Sequence, residues 1–456
     1  TAAWQALLLN QFHDILPGSS IREVNEEAQA QLAGVVDTAA KVTAAHLAAL
    51  RGRLGPAGEH AALLVVNPDL GARPLRVRTD AALPGAQPVP GGFVVAATQS
   101  VAGLEARLVT EFAPAPGLAA SPRHLENALV RVDLDDTGAL ARVWDKAAGR
   151  EVLAGRGNQL WAYVDKPRIY DAWEIDEAYA EGGQELAELE SVELVESGPH
   201  RAAIRVRRRF RSSTIVQDIR LWANSARVEF ATTMDWHDRH WLVKARFPVA
   251  VRADRAAFET AFGVVYRPTH RNTSWDAAKF EVPGHRFADL SEPGYGVALL
   301  NDGRYGHHAE GSELGISLLR SPVYPDPLAD EGAHEFTYAL LPHVGDWTAG
   351  GVLAEAEDLN RPLLTAATRA AGPASLRPLR VTGLPLGLGA LKAAEDGGGY
   401  VLRCYEPHGA RGAAAVAAPA GWSLAGGLDV LERPAGAAEL SFTPFQVRTW
   451  SLAPDR

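Results

Sequence analysis

The chain has 456 residues, of which 47% are apolar and 22% charged, and its net charge is −10. This composition is typical of a folded globular protein and excludes disordered, collagen-like and coiled-coil classes, while the length predicts about three domains of roughly 150 residues. The acidic balance leaves no broad cationic surface, and no apolar run approaches the length of a membrane span. We therefore expect neither nucleic acid nor a membrane as a partner.

Residues 1–53 are the only strongly helical stretch of the sequence. An apolar run with helical spacing ends at Phe12 and is followed by a Pro17-Gly18 break, after which Ser20 and Glu23 predict a capping box at the start of a second helix. That helix carries one apolar stripe, formed by Val24, Ala28, Leu32, Val35, Ala39 and Val42. Two helices cannot enclose a core, so we expect this stripe to pack on β domains or to mediate homo-oligomerisation. We expect the chain to be a fragment, with the rest of the bundle lying upstream of Thr1 or coming from a neighbouring domain.

After residue 55 the spacing of apolar residues changes from the helical pattern to the alternation typical of short strands. Segments Leu129–Leu134 and Ala139–Trp144 alternate on either side of a turn and predict a hairpin, and strands then recur at about ten-residue spacing from Ala202 to Trp236, as in a large antiparallel sandwich. The predicted fold is mainly β, with antiparallel β-sandwich domains preceded by the end of an α-helical bundle domain. The expected domains are helical (1–55), small β (56–115), large β supersandwich (116–345) and C-terminal β (346–456).

His13 is the residue with the clearest chemical potential. It lies where a helix is predicted to end and a Pro-Gly turn to begin, so its ring can point into a cleft where a metal could reach it. The alternative is a histidine that caps the helix C-terminus, where its charged form suits the helix dipole. One histidine does not make a zinc site, which needs three or four ligands. The single cysteine, Cys404, excludes an intrachain disulfide and fits a reducing cytoplasm.

Strings of residues over nearly the whole chain carry a family resemblance. They are Gln11–Asp14, Pro17–Ile21, Val66–Pro68, Leu125–Asn127, Trp144–Lys146, Asp171–Asp176, Arg267–Asp276, Ala288–Ser291, Leu300–Asp302 and Arg320–Pro327. These strings resemble the glycoside hydrolase family 38 α-mannosidases, and they look like the bacterial and vacuolar branch rather than the Golgi branch. The central sandwich resembles the mutarotase-like supersandwich of several glycosidases.

The resemblance implies a retaining exo-α-mannosidase that hydrolyses terminal α-D-mannosides of glycans and oligosaccharides. In the family, one zinc ion holds the hydroxyls of the terminal mannose while a carboxylate attacks the anomeric carbon. Its zinc ligands are two Asp and two His, of which only the last His falls inside this chain, at His13. The other ligands and the nucleophile belong to an N-terminal α/β domain, so the resemblance implies that this chain is the C-terminal part of the enzyme and that the missing catalytic domain is its partner.

The resemblance also suggests substrate contacts. Asp14 matches a family position that hydrogen-bonds the bound mannose, although an exposed carboxylate after a helix would look the same. Tyr170, Asp171 and Trp173 combine a flat apolar face with acceptors on a loop between strands, which suits a sugar ring and equally suits a buried structural loop. His285 and Arg286 occupy the approximate place of a substrate-contacting Arg of the Golgi branch.

Other interpretations of the sequence lead to different functions. The chain could be a non-catalytic carbohydrate-binding or scaffold module of a glycosidase, or its sandwich could be an epimerase that uses a His and Glu pair. The epimerase is disfavoured because the best-placed histidines, including His307-His308, are predicted to lie in solvated turns. If the mannosidase interpretation holds, the fragment alone is expected to be inactive and to bind zinc weakly or not at all.

Overall fold

The structure is a computed structural model that describes residues 1–56 and 58–455. Two compact units divide the chain. One comprises Thr1–Ala49, Pro116–Ala256 and Arg267–Val352, and the other contains the rest of the described residues. Among those residues, no helix combines the length and the apolar character needed to cross a membrane. The four domains expected from the sequence stay a prediction.

Helices are few, and by far the longest of them lies near the start of the chain. The α-helices are α1 (Ala2–Leu9), α2 (Arg22–Arg53), α3 (Ser274–Ala277) and α4 (Val352–Asn360). A 3-10 helix spans Glu177–Gly182, and the side chain of Asp176 caps it by accepting a hydrogen bond from the Ala178 N–H. In α2 the apolar stripe is only partly covered, since Ala28 is buried whereas Val42 is exposed.

Strands make up most of the remaining structure. The first five are β1 (His60–Val66), β2 (Arg73–Thr79), β3 (Gln87–Val89), β4 (Gly92–Val101) and β5 (Ala106–Val109). The next group is β6 (Ala119–Ser121), β7 (His124–Glu126), β8 (Val130–Leu134), β9 (Leu140–Asp145), β10 (Arg150–Glu151), β11 (Gln159–Val164), β12 (Gly183–Glu185), β13 (Leu189–Ser197), β14 (Arg201–Phe210), β15 (Ser213–Trp222), β16 (Val228–Trp236) and β17 (Trp241–Pro248). It continues with β18 (Arg255–Thr260), β19 (Gly263–Pro268), β20 (Val282–Pro283), β21 (Phe287–Glu292), β22 (Tyr295–Asn301), β23 (Gly306–Glu310), β24 (Glu313–Arg320) and β25 (Gly332–Val344). The last strands are β26 (Leu364–Ala370), β27 (Ala374–Leu376), β28 (Arg380–Gly383), β29 (Gly387–Ala393), β30 (Tyr400–Tyr405), β31 (Gly412–Ala417), β32 (Trp422–Leu428), β33 (Ser441–Phe442) and β34 (Val447–Pro454).

Strands β6–β25 form three mostly antiparallel sheets. A nine-stranded sheet has the order β13-β14-β15-β16-β25-β22-β21-β18-β19, a six-stranded sheet the order β12-β11-β17-β24-β23-β20, and a five-stranded sheet the order β10-β9-β8-β7-β6. The two larger sheets share a buried aromatic core, because the Phe230 ring on β16 lies 5.7 Å from Phe247 on β17 and 4.9 Å from Tyr338 on β25. Burial of such rings supplies much of the free energy that holds a sandwich together.

Strands β1–β5 and β26–β34 form four smaller sheets with two apolar cores. The sheet orders are β26-β1-β5-β27, β2-β4-β3, β28-β31-β33 and β29-β30-β34-β32. One core gathers around Leu63, Leu75 and Val95, and the other includes Trp450 and the buried thiol of Cys404. Burial raises the pKa of that thiol to about 12, which makes it unreactive at neutral pH.

The fold class expected from the sequence, mainly antiparallel β with helices at the start, is confirmed. The predicted hairpin is β8 and β9, with Val132 opposite Val143. The strands expected between residues 202 and 236 are β14, β15 and β16.

Two local predictions are wrong. Helix α2 begins at Arg22, and the Ser20 hydroxyl does not cap it but donates to the carbonyl of Asp14 at 2.7 Å. His307-His308 is not a solvated turn, because both residues lie on β23 and His307 is fully buried opposite Ile316 of β24. At Ser20 a carbonyl six residues earlier takes the hydroxyl, and at His307 pairing with the next strand along the chain decides the local structure.

Candidate functional site

His13 lies in the turn that follows helix α1. The helix ends at Leu9, and Asn10 fixes the exit of the chain because its side-chain amide donates to the Ala6 carbonyl and to Gln31 Oε1 of α2, each at 2.8 Å. Beyond the helix the His13 side chain is 70% exposed. An imidazole held on an ordered turn and open to solvent is available to a ligand.

Asp14 stands beside His13 and is held through its own backbone. Its carbonyl accepts hydrogen bonds from the Ser19 N–H at 3.1 Å and from the Ser20 hydroxyl at 2.7 Å. This closure requires Gly18, whose φ of +73° lies in the left-handed region that favours glycine. The carboxylate is left partly exposed, with its Oδ2 atom 3.5 Å from His13 Nε2. The turn therefore presents a base and an acceptor side by side.

A shallow depression of about 500 Å³ lies next to this turn, lined by Phe12, Asp14, Ile15, Ser19, Ser20, Ile21, Val24 and Pro325. Its walls are mainly apolar, with one carboxylate and two hydroxyl groups. This mixture suits a ligand that has both C–H faces and hydroxyls.

The loop between β11 and β12 brings one aromatic side chain, that of Trp173, to the turn. The Trp173 indole is 53% exposed, and its ring meets the His13 ring edge to face with centroids 6.3 Å apart. Tyr170 is also exposed and has a φ of +56°, and its carbonyl accepts hydrogen bonds from the Trp173 and Glu174 N–H groups. The fold thus joins His13 to residues about 160 positions away in the sequence.

Asp171 has a different environment from its two aromatic neighbours. Its side chain is only 15% exposed, and its Oδ2 atom accepts hydrogen bonds from the backbone N–H groups of Val323 at 2.6 Å and Tyr324 at 3.2 Å. These bonds tie the loop to the segment after β24. One carboxylate oxygen is therefore already used to hold the backbone.

His285 and Arg286 lie between β20 and β21. The ring of His285 is 5.5 Å from that of Tyr305, and its carbonyl accepts a hydrogen bond from the Asn301 side chain at 2.7 Å. The Arg286 carbonyl accepts from the Asn301 N–H at 3.0 Å. These contacts define the local β structure, and within the described residues the neighbours of His285 do not include the turn that carries His13.

The structure adds two residues that the sequence did not single out. Arg320, at the end of β24, donates to backbone carbonyls of the aromatic loop and pairs with Asp165, which is almost fully buried. Burial raises the pKa of the Asp165 carboxyl, while the hydrogen bond and charge of Arg320 lower it. The only sequence signal for Arg320 was its place at the head of a family-like string, since its partners lie about 150 residues earlier.

The capacity of the chain to bind a metal ion depends on which potential ligand side chains lie close together. Throughout residues 1–56 and 58–455, no three His, Cys, Asp or Glu side chains are grouped so that they could hold a metal ion. Zinc in proteins takes at least three such ligands. His13 can supply one ligand, and the other ligands of a complete site would have to come from outside these residues.

Comparisons with known proteins agree on one family. Family models match residues 1–50 (alpha mannosidase middle domain), 125–328 (glycosyl hydrolases family 38 C-terminal domain) and 386–450 (family 38 C-terminal beta sandwich domain). Human alpha-mannosidase 2C1 is 37% identical over 97% of this chain and 44% of its own length. The alpha-mannosidase of Saccharomyces cerevisiae is 33% identical over 75% of this chain and 30% of its own length.

Solved structures show the same fold. An alpha-mannosidase from Enterococcus faecalis V583 superposes with a TM-score of 0.81 at 16% identity, over 98% of this chain and 63% of that one. A family 38 protein from Enterococcus faecalis gives a TM-score of 0.79 at 16% identity, over 98% of this chain and 65% of that one. The chain spans less than half the length of the curated relatives it matches. On the matched domains and relatives together, the chain belongs to glycoside hydrolase family 38.

Proposed function

We propose that the chain is the C-terminal part of a retaining, zinc-dependent exo-α-mannosidase that removes terminal α-D-mannose from glycans and oligosaccharides. The observation that carries the proposal is the assembly of an exposed imidazole, a carboxylate and an exposed indole at His13, Asp14 and Trp173. The relatives that match most of the chain are named alpha-mannosidases, which supports the same activity. The catalytic α/β domain would belong to the longer protein.

Each residue of the turn and loop has a role in this proposal. His13 contributes one zinc ligand, and zinc when bound holds the hydroxyls of the terminal mannose. Asp14 accepts hydrogen bonds from the sugar, and the ring faces of Tyr170 and Trp173 cover its C–H surface. The nucleophile and the acid/base carboxyl come from the N-terminal domain, about 5 to 5.5 Å apart as retention requires.

The proposal also includes further substrate contacts, an association between copies of the chain, and a cellular location. Asp171, His285 and Arg286 remain candidate substrate contacts, and homo-oligomerisation through the exposed part of α2 remains a candidate association. A cytoplasmic location fits the single, buried Cys404. Cell fractionation of the full-length protein would test it.

The test of the function is an assay on the full-length protein. It should hydrolyse an aryl α-mannoside, contain one zinc per polypeptide, and release α-mannose as the first anomer seen by proton NMR. Activity on an internal α-mannoside only, release of β-mannose, or full activity without zinc would each contradict the corresponding part of the proposal. A complete lack of α-mannosidase activity in the zinc-loaded protein would contradict the whole.

A further inference from the structure

Arg320 contacts several backbone carbonyls of the aromatic loop at once. Its Nη2 atom donates to the Asp171 carbonyl at 2.5 Å and also to the Glu174 carbonyl, and its Nη1 atom donates to the Ala172 carbonyl at 3.2 Å. A guanidinium suits this arrangement, because it offers several donors in one rigid plane. Three of the four residues from 171 to 174 are therefore held by one side chain.

The orientation of Arg320 is itself fixed. Its Nε atom pairs with Asp165 Oδ2, and the Asp165 side chain is only 1% exposed. The Asp165 N–H in turn donates to the His240 carbonyl at 2.9 Å, and the His240 N–H donates to the Ser321 carbonyl at 2.7 Å. The arginine is thus anchored to the end of β11 and cannot turn away without leaving a buried carboxylate unpaired, which is costly.

A second set of hydrogen bonds joins the aromatic loop to the segment that follows β24. The Asp171 carboxylate accepts from the Val323 and Tyr324 N–H groups, and the Ala172 N–H donates to the Tyr324 carbonyl at 3.0 Å. The loop and the segment that follows β24 therefore hold each other through side chains and backbone. These contacts together offset the free-energy cost of the left-handed conformation of Tyr170, which non-glycine residues rarely adopt.

We infer that Arg320, anchored by Asp165, is a positioning residue: it holds the loop that carries Tyr170 and Trp173 and so keeps the Trp173 ring beside His13 as part of an aromatic platform for the sugar. Arg320 itself does not contact the substrate. Its effect is exerted through the loop backbone, and Asp171 acts through its Oδ2 atom as the second half of the same clamp. The inference rests on the proposed function for its consequence in catalysis, while the clamp itself is independent of it.

The first test measures loop order in this chain by hydrogen exchange. In Arg320→Ala, the Trp173 and Glu174 amides should exchange at least tenfold faster than in the wild type, while the amides of β14 to β16 stay unchanged. Arg209→Ala is the matched control, because Arg209 forms an exposed ion pair with Glu190 on the same unit. Unchanged exchange at Trp173 and Glu174, or an equal increase over the whole unit, would overturn the inference.

The second test uses the full-length enzyme and an aryl α-mannoside. Arg320→Ala should lower kcat/KM by about 10- to 100-fold, mainly through KM, with zinc content unchanged, because a misplaced binding surface weakens substrate positioning. Arg320→Lys should recover only part of the loss, since an ammonium cannot reach three carbonyls together.

The outcomes separate the two proposals. An inactive wild type would contradict the proposed function and leave the exchange result to decide the clamp. An active wild type with unchanged KM in both Arg320 variants would overturn the positioning role. If Arg320→Ala does not fold, Arg320→Lys alone must show the local exchange increase and the raised KM, and its failure to do so would overturn the inference.

Discussion

The ammonium group of Lys244 and the carboxylate of Glu281 form an ion pair in which the two side chains are only 1% and 10% exposed. Glu281 Oε1 also accepts a hydrogen bond from the Tyr179 hydroxyl at 2.7 Å, and Oε2 accepts one from Ser317 at 3.2 Å. Burial holds the pKa of Lys244 well below its usual value. Such a pair is stable only while both partners are present, because the remaining charge has no water to replace the lost partner.

We therefore predict that the effects of replacing Lys244 and Glu281 on the free energy of unfolding are strongly non-additive in a double-mutant cycle. Lys244→Met and Glu281→Leu should each reduce the free energy of unfolding by about 3 to 5 kcal/mol, because each leaves an uncompensated buried group. The double variant should be more stable than either single variant, since it removes both charges from the interior. Urea unfolding followed by circular dichroism measures this, and single variants as stable as the wild type would contradict it.

A neighbouring group on the same sheet predicts a dependence of stability on pH. Glu313 accepts hydrogen bonds from His308 at 3.0 Å and from two nitrogens of Arg246 at 2.8 and 2.9 Å. Burial opposes ionisation of Glu313, but these bonds outweigh it and hold its pKa at about 2. Burial lowers the pKa of His308 to about 4, and the charge of Lys244 contributes to the same shift.

Both shifts act in the same direction on acidification. Below pH 6.5 the unfolded chain protonates His308 while the native protein does not until about pH 4, and between about pH 4.5 and 2 the unfolded chain protonates Glu313 first. The melting temperature should therefore fall steadily from pH 6.5 to pH 3. His308→Gln keeps a donor for Glu313 but cannot titrate, so it should flatten the fall between pH 6.5 and 4.

Thermal melting at half-unit pH steps would measure this effect. His237→Gln is a suitable control, because His237 is half-exposed in the turn after β16. The prediction fails if the His308 variant shows the same slope as the wild type, or if the control flattens the slope equally.

The sequence predicted those features that depend on neighbours along the chain. Alternation located the hairpin of β8 and β9, and the Pro17-Gly18 break placed His13 and Asp14 in a turn. The sequence could not predict that Trp173 lies beside His13. The two residues are 160 positions apart, and only the tertiary fold brings them together. The error at His307-His308 has a different cause, because pairing with β24, the next strand along the chain, overrides a composition typical of turns.

The sequence also did not predict the polar cluster on the six-stranded sheet, in which Lys244 pairs with Glu281 and Arg246 pairs with Glu313. Lys244 and Arg246 sit in the run Trp241–Pro248, whose alternation indicates a strand with one polar face. That this face would be covered depends on Tyr179, in the 3-10 helix, and on Glu281, just before β20, and both are distant from it in sequence. A lysine in a strand is normally exposed, and only tertiary packing makes it buried.

His13 leads to a prediction about the full-length enzyme. If it supplies one of four zinc ligands, His13→Ala should lower zinc content and hydrolysis of an aryl α-mannoside together, with activity reduced by at least about 100-fold, since even the loss of a residue that supports a ligand costs 10- to 100-fold. Metal analysis and initial rates on the same preparations measure both quantities.

His46→Ala is the matched control for this variant, because His46 is exposed on α2 and its ring forms a hydrogen bond within that helix, to the Val42 carbonyl. It should keep both zinc and activity. Full activity and unchanged metal content in His13→Ala would refute the ligand assignment, whereas equal losses in both variants would indicate a general effect on folding.

The last prediction concerns the 456-residue chain by itself, which should hydrolyse no α-mannoside and bind no stoichiometric zinc. Hydrolysis with retention requires a nucleophile within bonding reach of the anomeric carbon and a metal held by several ligands. In the part of the chain that the structure describes, His13 is exposed and no group of three metal-binding side chains is present.

Folding should nevertheless be independent of metal. The aromatic core around Phe230 and Phe247 and the core around Trp450 are formed by side chains that need no ion. A cooperative thermal transition should therefore appear, and its midpoint should be the same with and without a chelator such as EDTA. Metal analysis, an aryl-mannoside assay and a melting curve on one preparation test all three points. Tightly bound zinc together with turnover would show that a complete site lies within these residues and that the nucleophile belongs to this chain.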